Sequence, residues 1–231
     1  MPSWNIHTAH VERLLHDEGP LALGVGDVNC FLFGNYVPDI YVGYMVPDVT
    51  HTVPYHATHL ATPHTIPIPR SDEFWNTYVA GAQEQGRPAS DVCLGAWAHL
   101  VCDNVYNTNV RAFNVAHGVQ AGEQTRIRKQ GDFDRFGRTL PITMRVALTD
   151  ELVAECEAFP QYPILEPDVE RSVAVADAIV DENAVHPRGE GADEPEYSLL
   201  TEDFFFETFE RANRALLLRL RDYGAWRRSL G

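Results

Sequence analysis

His99 and Asp103 stand four residues apart in the stretch 89–106. On a helix that spacing puts both side chains on one face, about one turn apart, so an imidazole and a carboxylate can reach one cation together. Asp91 and Gly95 precede them at the same interval and complete a stripe. Gly95 costs a helix interior roughly 1 kcal/mol against alanine, and its missing side chain leaves room for a ligand or another helix. The bland alternative is a core histidine paired with a helical acid. Further candidates lie upstream. His7 and His10 are three apart, as two ligands or as a polar face near the start of the chain. Asp39 follows Pro38 in an apolar run, 31–41. Helix capping accounts for an acid there, and a buried carboxylate would also need a partner. His51, His56, His59 and His64 crowd one segment, of which one or two are expected to be ligands and the others exposed. The only basic cluster, Arg126 to Arg135 with Lys129, reads as a solvated loop or as a contact for an anionic substrate.

These residues need elements to hold them. Residues 89–106 predict one buried helix, capped by Ser90 or Asp91, with Leu94, Trp97, Leu100 and Val101 at helical spacing. Asn107-Thr108-Asn109 marks its end. His7 to His16 predicts a helix with Val11, Leu14 and Leu15 inward, capped by Asn5 or Thr8. Pro38 excludes Val37 from the helical region and starts a new helix. Residues 51–70 read as a loop, because Pro63, Pro67 and Pro69 forbid a regular element; a connection that long in a compact domain is usually functional or disordered, and its apolar content argues against disorder. Helices are expected over 74–85, from Thr149 to Ala158, over 168–183 and from Thr201 to Arg221. Residues 118–137 read as polar loop and 186–196 as an exposed one. There is no internal repeat and no convincing alternating strand. The expected fold is all-α, a multi-helix bundle with long loops, over one domain spanning 1–231.

The totals narrow the function classes. A 231-residue chain can bury one good core. Its formal charge of −15 argues against long nucleic acid or an anionic membrane as partner. The four cysteines, Cys30, Cys93, Cys102 and Cys156, include no C-x-x-C; Cys93 and Cys102, on the expected buried helix, read as small core residues, and the compartment as reducing. No leader is evident before Trp4 and no apolar run is long enough to span a membrane. A cytoplasmic location is the expectation.

Taken in order, His7, the segment Gly34 to Asp39, Thr58-His59 and His99-x-x-x-Asp103 resemble the zinc-dependent phospholipase C family, which is all-helical and distantly related to single-strand-specific zinc nucleases. Short members begin with a histidine at the head of an amphipathic helix. A G-x-x-x-P-D segment, an isolated histidine and a helix carrying H-x-x-x-D follow. The likeness covers residues 7–103, and the second half matches no family feature. Carried over, it implies that Asp39, His59, His99 and Asp103 form the principal zinc site and that His7 belongs to a neighbouring one. Zinc accepts such nitrogen and oxygen donors and acidifies a bound water for attack on a phosphodiester, with Asp39 or Asp103 orienting that water. The substrate implied is a small phosphodiester or phospholipid headgroup. Fully trinuclear members carry a further histidine and an H-x-x-x-E downstream. Here only His117 and His186 remain, the latter with Glu190 four residues on but in a Pro- and Gly-rich loop, and one or two metals are expected rather than three. The alternatives are a nuclease-type phosphohydrolase, or a non-catalytic helical protein whose zinc is structural.

Overall fold

The computed structural model describes residues 2–185 and 196–230. The chain is all-helical, with no strand among the described residues. In order it forms α1 (Trp4–Glu18), α2 (Pro20–Leu23), α3 (Val28–Gly34), α4 (Val37–Ile40), α5 (Tyr55–Thr58), α6 (Ser71–Phe74), a π-helical stretch (Trp75–Ala80), α7 (Gly81–Glu84), α8 (Asp91–Ala116), α9 (Glu123–Arg138), α10 (Asp150–Glu157), α11 (Glu166–Val185) and α12 (Glu202–Arg228). Their buried apolar side chains make one contiguous cluster running from Trp4 through Phe31, Trp97 and Phe133 to Tyr223. No helix of the described residues is long and apolar enough to cross a membrane.

The axis of the fold is α8. Ser90 is its cap, accepting from the Cys93 amide at 3.1 Å, which leaves first-turn amides satisfied that would otherwise be bare. Asp91 has a different task. Its carboxylate accepts from the Gly26 and Asp27 amides and from Arg227, tying the start of α8 to the loop before α3 and to the end of α12. Gly95 is explained by a helix rather than a ligand. A Cβ there would lie 2.2 Å from the Phe31 carbonyl and 2.8 Å from the Asn35 amide, and one at Gly34 would lie 2.2 Å from the Val92 carbonyl. The α3 and α8 backbones therefore touch with no side chain between them. Gly95→Ala should cost at least about 3 kcal/mol, since backbone cannot yield as a flexible side chain can. Gly131→Ala is the control: nothing lies within 4 Å of a Cβ built there, so alanine should be neutral or stabilising by up to about 1 kcal/mol. Chemical denaturation of the two variants measures both.

Several boundaries differ from the sequence reading. α8 runs on to Ala116, past Asn107-Thr108-Asn109. Asn107 donates to the Pro67 carbonyl at 2.8 Å and Asn109 to Thr208 Oγ1 at 3.0 Å; with their amides engaged elsewhere, these residues do not compete for their own backbone. α1 begins at Trp4 after Ser3, so neither Asn5 nor Thr8 caps it. Val37 is itself the first residue of α4, with Pro38 in the opening turn. The basic cluster 126–135, for which a solvated loop is one reading, lies on a helix, α9 (Glu123–Arg138), whose Asp132, Phe133, Phe136 and Gly137 are buried. Segment 51–70 contains one regular turn, α5. The loop at 186–196 lies outside the described residues except for Glu196. All four cysteines are buried and free.

Candidate metal centre

Five side chains from four segments converge beside α8. His7 comes from α1, Asp39 from α4, His59 from the residue after α5, and His99 and Asp103 from α8. Each is at most 2 % exposed. The Nε2 atoms of His59 and His99 are 3.2 Å apart. His59 Nε2 lies 3.6 Å from Asp39 Oδ1 and 3.6 Å from Asp103 Oδ2. His99 Nε2 lies 3.9 Å from an oxygen of each carboxylate. His7 Nε2 faces the other Asp103 oxygen, Oδ1, at 3.6 Å, and its ring stacks on His99 with centroids 3.9 Å apart.

The hydrogen bonds around the centre fix which nitrogens carry protons. His99 Nδ1 donates to the Asn35 carbonyl at 2.9 Å. Thr58 Oγ1 donates to the Tyr55 carbonyl, which leaves that oxygen to accept from His59 Nδ1 at 2.7 Å. In the neutral form both imidazoles then carry a bare Nε2 lone pair. Two lone pairs at 3.2 Å repel unless something positive lies between them. His7 Nε2, Asp39 Oδ1 and Asp103 Oδ1 are likewise buried without a hydrogen-bond partner, a costly state for polar atoms. A tetrahedral zinc with bonds near 2.0–2.1 Å separates its ligands by about 3.3 Å, close to the His59 spacings. The donor set fits a cation of that kind. His7, His99 and Asp103 form one possible trio, and Asp39, His59 and His99 another.

Burial lowers the proton affinity of His59 and His99, each depressed further by neighbouring histidines. Burial raises Asp39 to about 6 despite His99. For Asp103 burial acts upward, but His7, His99 and His59 outweigh it and hold the carboxyl well below its usual range. So in the metal-free chain near neutral pH the His59 and His99 imidazoles are neutral and Asp103 is ionised, the protonation state a cation requires. Burial and the two carboxylates also raise the Tyr55 hydroxyl far above the usual phenol range.

The loop histidines separate by burial: His59 is buried, while His51, His56 and His64 are exposed. The loop is held from α8, where Asn104 donates to the Pro69 carbonyl, Asn107 to Pro67 and Arg111 to Ile66. Leu60, next to His59, sits at φ 50°, a strained conformation for a branched side chain. His117 is exposed at the end of α8, stacked on Phe113. His10 is fully buried but stands apart, its Nδ1 donating to Asn213 Oδ1 at 2.9 Å and its ring stacked on Phe209. Two residues around the centre, Tyr55 and Asn35, have no role in the sequence reading, and a third, Thr58, enters it only within Thr58-His59. Tyr55 donates to Asp103 Oδ2 at 3.0 Å and stacks on His59. Asn35 contributes its carbonyl to His99 and its amide to the His7 carbonyl at 2.8 Å. Thr58 orients His59, and its place directly before that histidine was the one available signal.

Burial lowers His10 to about 3. The folded chain resists protonation there while the unfolded chain takes up a proton near pH 6.5, so stability is complete above about 6.5 and falls as pH drops towards 3. Removing the titration in His10→Gln should make denaturation free energy less steep in pH between about 6 and 4. Equal slopes in the two proteins would show that His10 is not the group responsible.

No protein-family profile, curated protein or solved structure matches this chain.

Proposed function

We propose that the chain is a metal-dependent phosphoric-ester hydrolase, similar to the zinc-dependent phospholipases C, acting on a small phosphodiester. The observation that carries this reading is the convergence of bare Nε2 lone pairs and unpartnered carboxylate oxygens in one buried cluster. Asp39, His59, His99 and Asp103 Oδ2 would hold the principal zinc, and His7 with Asp103 Oδ1 a neighbouring ion. Zinc bound there supplies an acidified water and neutralises charge on phosphoryl oxygens.

The chain's own groups divide the remaining work. Asp39, holding the metal through one carboxylate oxygen, would be the base that takes a proton from the attacking water on the other. Asp103 stays ionised and presents its two oxygens to different histidines, with Tyr55 fixing Oδ2. His59 and His99 are oriented through Nδ1 by Thr58 and Asn35, the partners that commonly set ligand geometry. The low exposure of the cluster keeps bulk water out and strengthens every charge interaction within it.

Elemental analysis after exhaustive dialysis, paired with hydrolysis of p-nitrophenylphosphocholine and bis-p-nitrophenyl phosphate, tests the reading. At least one zinc per chain and chelator-sensitive hydrolysis are expected. A zinc-loaded protein inert to phospholipid, nucleotide and model diesters would overturn the hydrolase and leave a structural metal. A folded protein that takes up no metal would overturn both.

A further inference from the structure

The sequence singles out one basic cluster that the metal centre does not use. It lies on α9, beside a cavity of about 200 Å³ lined by Thr65, Asn114, Gly122, Thr125, Arg126 and Lys129, among others. Lys129 is the single lysine of a chain with formal charge −15. It is half-buried, and among the described residues no carboxylate pairs with it. Arg126 is already engaged by Glu123 through contacts of 2.6 and 3.2 Å, so those two charges cancel and Lys129 supplies the net positive charge of the cavity. α9 is sixteen residues long and starts after Gly122, which has no side chain to satisfy the first-turn amides; such bare N–H groups favour an anion. Asn114 Oδ1 is buried without a partner, and a half-turn of that amide would present its NH2 instead.

Asn107 and Asn114 follow Asp103 at four and eleven residues on one face of α8, and all three carry a buried oxygen with no partner. Eleven residues of helix span about 16 Å. Lys129 senses the Asp103 charge, which opposes the lowering by burial and by Arg126. Asn114 lines the cavity and Asp103 the centre, so one face of α8 runs past both.

We infer that the cavity at the start of α9 is an oxyanion site that takes a phosphate or phosphomonoester group on the Lys129 ammonium. Oxyanion binding stands without the proposed hydrolysis. Joined to it, and resting on it, the site selects phosphodiesters that carry a second, terminal phosphate.

Calorimetric titration with inorganic phosphate and with phenyl phosphate, alongside metal analysis of the same samples, tests this. The proteins are wild type as purified, wild type stripped with chelator, His59→Ala, Lys129→Met and Lys129→Arg. Stripped wild type and His59→Ala should still bind phosphate, more weakly as salt is raised. Lys129→Met should weaken that binding at least about tenfold with metal content unchanged, and Lys129→Arg should retain most of it. The inference is overturned if no phosphate binds, if Lys129→Met binds as wild type does, or if binding requires the metal. It is equally overturned if Lys129→Met loses metal together with phosphate, since the lysine would then serve only to balance Asp103. A metal-free protein that still binds phosphate through Lys129 would remove the proposed function and leave this site standing.

Discussion

His59→Ala should empty the centre, while His51→Ala, His56→Ala and His64→Ala keep their metal. His59 is buried with its Nε2 among three other donor atoms; the other three loop histidines are exposed. Losing a ligand should weaken binding by more than the roughly 10- to 100-fold typical of an orienting partner. Thr58→Val, which removes only the hydroxyl that fixes His59 Nδ1, should fall within that smaller range. Metal content after dialysis against graded chelator gives the order. Equal loss in all four histidine variants would mean that the loop acts as a unit and that no single imidazole in it is a ligand.

Asp103→Asn should lower phosphodiester hydrolysis at least about tenfold, or about 1.4 kcal/mol of barrier. The amide keeps the size and one oxygen for Tyr55 to bond, but it removes the charge that faces His7, His59 and His99 at 3.6 to 3.9 Å. A neutral side chain cannot serve two cations from two oxygens, so the His7 position should be the first to lose its ion. The discriminating comparison is of kcat with metal content. If the rate is unchanged while metal is retained, Asp103 has no part in the reaction. If only the melting temperature falls, with no hydrolysis in wild type to lose, the metal is structural.

Much of the fold was legible because helix starts are written locally. Ser90, Thr149 and Thr201 each accept from the amide three residues on, as their positions before apolar periodic segments predicted. The order His7, Asp39, His59, His99, Asp103 also fell into one cluster. What stayed hidden depended on partners far away in sequence. α9 buries only Asp132, Phe133, Phe136 and Gly137, too narrow a stripe for periodicity to register, and Asp132 is used to hold the Ser198, Leu199 and Leu200 amides. The end of α8 was misread because Asn107 and Asn109 look like stop signals until Pro67 and Thr208 are seen to occupy them. Asn35 could not be found at all, because its part in orienting His99 is played by a backbone carbonyl that any residue possesses.

The contact of Gly34 and Gly95 has a consequence for how variation can accumulate in this chain. The glycine at 95 abuts the Asn35 amide, and the Asn35 carbonyl orients His99, one turn further along α8. The same few atoms therefore set the helix register and aim an imidazole. A one-residue slip of α8 would rotate His99 by about 100°, so no substitution at either glycine can be purely a matter of packing. Changes at positions 34, 35, 95 and 99 should show strong epistasis, and lineages of this fold would be expected to exchange them together or not at all.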